Sequence, residues 1–180
     1  MNKRLTTRET LELAARIQEF EIVPEFSFVV GNPKDPEKDT QECVQFIRQI
    51  KTINPAAEII LQHYTPVPQR EGMYGKIEDQ IQFPATPEEW ATDRWLNFTL
   101  RINPEVSWLP RGVKEFIDNF ELVVNSRWPT IQDIRLPSWG RAALKTLSSW
   151  RYRFEVYAHP LELNWTQRLI DLRKPKVESL

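Results

Sequence analysis

Two short apolar runs constrain this chain more than any other feature. Phe26-Ser27-Phe28-Val29-Val30 and Ile59 to Tyr64 are each the length of a strand and rich in β-branched and aromatic residues. Each follows a helical pattern. The first helix opens on Thr6-Thr7-Arg8-Glu9, a capping box in which Thr6 caps and Glu9 reaches back. It is expected to reach about Phe20, with Leu11, Leu13, Ala14, Ile17 and Phe20 as an apolar stripe. Pro24 closes the connection, and Gly31-Asn32-Pro33 ends the first strand. A second helix starts near Pro36 and Asp39, carries Val44, Phe46, Ile47 and Ile50 on its inner side, and stops at Asn54-Pro55. Helix, strand, helix, strand with short links is the signature of parallel α/β units. Two strands do not make a stable sheet alone, and no third clear strand follows Tyr64. The chain is therefore read as holding only part of a sheet.

From Thr86 onward the pattern is helical. Thr86-Pro87-Glu88-Glu89 is a second capping box, with Pro at the first helical position and a helix expected to reach about Phe98. Pro110 opens a longer helix with Val113, Phe116, Ile117, Phe120, Val123 and Val124 at helical spacing. Another starts near Pro137-Ser138 and runs through Leu144, Leu147 and Trp150 towards Phe154. A last one covers roughly Leu161 to Leu172. All seven tryptophans lie after residue 89, which points to two halves that pack differently.

Composition narrows the function classes. A net charge of -1 over 180 residues supplies no global field for nucleic acid. One cysteine, Cys43, excludes an intramolecular disulfide, and with two histidines it gives no metal-ligand spacing. A reducing, cytoplasmic setting is expected. No apolar run approaches the roughly 18 residues of a membrane span, and the opening "MNKRLTTRET" lacks the apolar core of a signal peptide.

Several features are candidates for chemistry. Gly31-Asn32-Pro33 is a glycine turn at the carboxyl end of a strand, where α/β proteins place ligands; it is equally the pattern of a plain tight turn. It lacks the spacing of dinucleotide and triphosphate loops, and the acids Asp35 and Glu37 argue against a phosphate. His63 at the end of the second strand reads as a structural hydrogen-bond donor more readily than as a base. His159, before Pro160, reads as structural, and Cys43 as a buried inert thiol. Between Arg135 and Lys176, nine Lys/Arg stand against three acids, with Trp139, Trp150, Tyr152, Tyr157 and Trp165 among them. That stretch fits packed aromatics with solvated cations more readily than a surface for a membrane or nucleic acid. No paired-carboxylate, Ser–His–Asp or Cys–His arrangement is evident, so no catalytic residue is assigned.

The stretches "PEFSFVVGNPKDPEKD", "INPAAEIILQHYTPVPQREGMYG", "WLNFTLRINPEVSWL" and "FELVVNSRWPT" together resemble the C-terminal half of radical SAM enzymes of the cobalamin-binding class, those similar to the anaerobic magnesium-protoporphyrin IX monomethyl ester cyclase. The resemblance covers nearly the whole chain. It implies an α/β fold: the last two parallel strand–helix units of a partial (βα)6 barrel over residues 1–75, then an all-helical C-terminal extension over 76–180. Glu25–Val30 resembles the fifth barrel strand and Glu58–Tyr64 the sixth. The resemblance further implies that Val29, Gly31, Asn32 and Pro33, with Tyr64, Thr65 and Pro66, lie along the adenine of S-adenosylmethionine.

The parent family also uses a four-iron four-sulfur cluster and cobalamin, and forms a 5′-deoxyadenosyl radical that takes hydrogen from a substrate. The cluster needs Cys-x-x-x-Cys-x-x-Cys, which one cysteine does not supply. Met1-Asn2-Lys3 resembles an internal segment of longer relatives. The expectation is a fragment, inactive alone, whose partner is the missing N-terminal half. The rival expectation is a non-enzymatic interaction module, its basic aromatic helices meeting a membrane surface or a protein partner, with no nucleic acid involved.

Overall fold

The computed structural model describes residues 5–20, 22–66, 81–99, 109–129 and 138–169. It is a mixed α/β, mostly helical protein in which the two strands, β1 (Glu25–Val30) and β2 (Glu58–His63), run parallel. The helices are α1 (Thr7–Ile17), α2 (Pro36–Ile53), α3 (Pro87–Trp90), α4 (Asp93–Thr99), α5 (Arg111–Arg127), α6 (Ser138–Phe154) and α7 (Leu161–Leu169).

The strand register sets the layers. Phe26 pairs with Ile59, Phe28 with Leu61 and Val30 with His63. Side chains alternate across a sheet, so these six share one face. Helices α2 and α5 both pack on that face. From α2 come Val44, Ile47 and Ile50; from α5 come Phe120, Val123 and Val124, all buried in one core with Ala57 and Ile59. Full burial of a side chain of this size contributes about 1.5–3 kcal/mol. Residues from both sides of position 75 thus share one core. Helix α1 rests on α2, α6 rests on α5, and α7 packs on both α5 and α6.

Among the described residues no helix packs on the opposite face of the sheet, where β1 is exposed and Glu58, Ile60 and Gln62 of β2 are half-buried. Glu25, Ser27 and Val29 on β1 are exposed, Val29 by 59%. "FSFVV" reads as a buried-type strand, yet among the described residues helices cover only one of its faces.

Local chemistry explains most element ends. The α1 capping box forms as expected: Glu9 N–H donates to Thr6 Oγ1 at 3.2 Å, and Thr6 N–H to Glu9 Oε2 at 2.8 Å. The helix stops at Ile17, short of the expected Phe20, and Leu13 and Phe20 stay exposed. Ala14 alone buries fully, its carbonyl accepting from Asn54 Nδ2 at 3.1 Å. Asn54, the C-cap of α2, thereby ties two helices together. The helix expected from Thr86 to Phe98 is instead two, because Thr92 turns back. Its hydroxyl and its N–H both donate to the Glu89 carbonyl, at 2.8 and 3.2 Å, and its own carbonyl then starts α4 by accepting from Leu96. Helices α3 and α4 gather Trp90, Trp95 and Phe98 around Ile81 and Phe83, a cluster of their own.

Candidate functional site

The carboxyl ends of β1 and β2 bring the two predicted loop segments side by side. Tyr64 N–H donates to the Val30 carbonyl at 2.8 Å, adding one rung past the strand ends. Gly31–Pro33 and Tyr64–Pro66 therefore leave the sheet together. Gly31 is buried with φ 87°, a left-handed conformation that a Cβ would strain.

The Gly31 turn is already filled from within the chain. Asp39 Oδ2 accepts the N–H of Gly31 at 2.9 Å and that of Asn32 at 3.0 Å. Asn32 Oδ1 accepts from Lys34 N–H at 3.0 Å, and Asp35 caps α2 by accepting from Lys38 N–H at 3.1 Å. The backbone donors that would cradle an anion are satisfied by carboxylates, in keeping with the acids that argued against a phosphate.

The other predicted residues fall in different surroundings. Val29 lies on the face opposite the helices and points away from the core. Tyr64 and Pro66 are buried, while Asn32, Pro33 and Thr65 are half-buried. Beyond Pro66 the proline–glycine stretch lies outside the described residues.

His63 shares the covered face with Val30, so it points to α5 and away from Val29. Its Nε2, buried, stands 3.3 Å from Asp118 Oδ1, poorly aligned for a hydrogen bond. Lys114 Nζ donates to Asp118 Oδ2 at 3.0 Å. Burial would raise the Asp118 pKa, but His63 and Lys114 outweigh it and hold the carboxyl down at about 2. Asp118 and Lys114 drew no notice in the sequence. Their spacing of four on one helix face is a usable signal, but nothing local ties them to a histidine at the end of β2.

The remaining candidates are structural. Burial, with Asp39 nearby, pushes the Cys43 thiol up to about 12, which makes it a poor nucleophile and a poor metal ligand. His159 has φ 46°, and its carbonyl accepts from Arg151 and from Leu161 N–H. Arg151 is only 6% exposed. It donates to the carbonyls of Val156, Ala158 and His159 and pairs with Glu162 across the α6–α7 turn. Arg48 donates to the Tyr152 carbonyl at 2.7 Å and the Tyr157 hydroxyl at 2.8 Å, fastening α2 to the last turn of α6 and the segment after it.

Among the described residues, no three His, Cys, Asp or Glu side chains gather into a group that could hold a metal. The single, half-buried thiol of Cys43 does not fit a cluster that needs three thiolates. A cavity of about 310 Å³ opens at the far, amino end of β2, lined by Ala57, Glu58, Arg127, Trp128 and Lys145 among others. It lies away from every residue that the sequence reading selected for a ligand.

Comparison with known proteins found no match among protein-family models, curated proteins or solved structures.

Proposed function

We propose that this chain supplies the closing two strand–helix units of a barrel of the radical SAM type, and with them one wall of an adenine site for S-adenosylmethionine. The observation that carries this reading is that, among the described residues, helices cover only one face of the sheet. Parallel sheets are normally covered on both faces, and here α2 and α5 lie on the same one. The opposite face presents Ser27, Val29, Ile60 and Gln62, a mix of small, polar and aliphatic side chains that suits a lumen wall better than a dry core. Each strand also keeps one edge without a strand partner among the described residues, where further strands can add.

With the Gly31 and Asn32 amides committed to Asp39, contact with the base falls to the Val29 side chain and to the Pro33 and Thr65 segments. Apolar and stiff backbone atoms suit a flat ring, and little freedom is lost on contact. In this reading the cluster, the cobalamin and the substrate belong to a companion segment, in a cytoplasmic setting, and the chain is not catalytic alone. Equilibrium dialysis with labelled S-adenosylmethionine tests the wall. Saturable uptake that adenosine competes and that Val29→Asp weakens is expected; uptake indifferent to both contradicts it. Anaerobic loading with iron and sulfide tests the division of labour, since stoichiometric four-iron absorption from this chain alone would overturn it.

A further inference from the structure

The cavity at the amino end of β2 is walled by three elements that the fold fastens together. Asn54-Pro55 ends α2, and Lys51 Nζ pins the loop that follows by donating to the carbonyls of Pro55 at 3.1 Å and Ala57 at 2.6 Å. Helix α5 ends on Arg127, with Trp128 as its C-cap, and Pro129 follows. Helix α6 brings Lys145. Pro55, Ala56, Trp128 and Pro129 give the cavity an apolar lining, and Arg127, Lys145 and Glu58 supply its charges. A volume of about 310 Å³ is at the small end of the roughly 300–1,000 Å³ range of ligand sites, which suits a ligand of about one ring.

Arg127 is fixed on the cavity wall with donors to spare. Its guanidinium carbon lies 4.8 Å from the centre of the Trp128 ring and 5.5 Å from that of Tyr152, and Nη1 donates to Ser149 Oγ. Among the described residues Nε is buried without an acceptor, and Nη2 has none either. A guanidinium carries five donors in a planar fork that matches a carboxylate or phosphate. Lys145 is exposed, and its amine has no acceptor among the described residues. Glu58 is the single carboxylate in the lining, and its charge also acts on Lys51. Cations therefore outnumber acids around an apolar pocket. We infer that this cavity is a second ligand site. It takes a small organic anion whose carboxylate or phosphate head meets Arg127 and Lys145, and whose short apolar body lies against Pro55, Ala56 and Trp128. Parallel α/β sheets place ligands at the carboxyl ends of their strands, so this site stands apart from the adenine wall and does not depend on it. S-adenosylmethionine, with a sulfonium and an ammonium against one carboxylate, is a net cation and does not suit it.

Calorimetric titration of the full chain with benzoate and with phenyl phosphate tests it. Saturable binding of at least one is expected, weakened by salt, with benzylamine inert; the tighter of the two anions names the head group. Arg127→Met should weaken that binding about tenfold or more, through loss of charge-assisted hydrogen bonds. Lys145→Gln, at an exposed position, should weaken it by about two- to fivefold. Ala56→Phe, also exposed, fills the cavity and should abolish binding while circular dichroism and melting stay as in wild type. If Arg127→Met does not fold, the other two variants decide. Absence of saturable binding by either anion overturns the inference, and so does binding that benzylamine matches or that survives both Lys145→Gln and Ala56→Phe unchanged. Inorganic phosphate binding as tightly as phenyl phosphate would remove the apolar half of the site and would equally overturn it.

Discussion

Asp39 holds Gly31: its Oδ2 accepts the Gly31 N–H at 2.9 Å, from the first turn of the helix that follows the turn itself. The same oxygen takes the Asn32 N–H at 3.0 Å. Removing the acceptor leaves two part-buried donors unmet, so Asp39→Ala should cost about 1–3 kcal/mol in urea unfolding. Asp39→Asn keeps an acceptor oxygen and should lose less. Gly31→Ala, at φ 87°, should cost about 1–2 kcal/mol. An unchanged midpoint for Asp39→Ala would remove the carboxylate from its role in shaping the strand end.

Asp118 predicts an acid dependence. Its folded pKa is about 2 against 3.8 for the free side chain, so between those values the native state binds fewer protons than the unfolded one. The stability it contributes is complete above 3.8 and drains away as pH falls towards 2. Glu9 and Glu162 are also held low and act in the same direction. The difference between wild type and Asp118→Asn isolates the term: it should shrink steadily between pH 4 and pH 2. A constant difference across that range would contradict the pairing with His63 and Lys114.

Lys51 predicts the opposite slope in alkali. Its amine is buried against the carbonyls of Ala57 at 2.6 Å and Pro55 at 3.1 Å, and burial lowers its pKa from 10.5 to about 8 despite Glu58. From pH 8 upward the unfolded chain holds a proton that the native state has lost, so stability should rise with pH. Lys51→Met should flatten that rise. Above pH 10 the half-buried Tyr152 and buried Tyr157, whose pKa values burial raises, pull stability down again. The clean window is therefore pH 8 to 10, measured by urea midpoints.

Arg151→Met should be the most damaging polar substitution. It strands Glu162 and the carbonyls of Val156 and Ala158, and takes one of two donors from that of His159, all at one turn. With Arg151 buried but Glu162 part-exposed, the loss should be about 2–3 kcal/mol, which lowers the melting temperature of a chain this size by on the order of 5–10 °C. Arg151→Lys should recover only part, since an ammonium cannot reproduce the planar fork. Melting within a degree or two of wild type would contradict the role.

The helix–strand order was legible because apolar spacing and caps are local. Thr6 and Glu9 form their box, Asn54 ends α2, and Ser138 starts α6 where the pattern places them. What the pattern hides is which face of an element meets another. "EFSFVV" alternates Glu, Phe, Ser, Phe, so half-burial is written in it, yet its apolar end does not show that Val30 is buried while Val29 is exposed. The break at Thr92 hides because Thr is a tolerable helix residue until its hydroxyl bonds the backbone. The partners of His63 lie far along the chain on α5, and no local pattern reaches that distance. Arg151 looks like one more solvated cation until the α6–α7 turn closes around it. The exposed aromatics of α6 were legible as residues, but only folding decides that Trp139 faces outward while Leu144 faces in.

The central claim is that the face of the β1–β2 pair opposite α2 and α5, with the loops beside it, forms an adenine-facing wall. Amide proton–nitrogen NMR of the full chain, titrated with S-adenosylmethionine, tests it most directly. Saturating shifts should cluster at Ser27, Val29, Gly31, Asn32 and Thr65, and leave Ala57, Trp128 and Lys145 around the distant cavity unmoved. Shifts confined to that cavity, or a spectrum unchanged at millimolar ligand, would contradict the account.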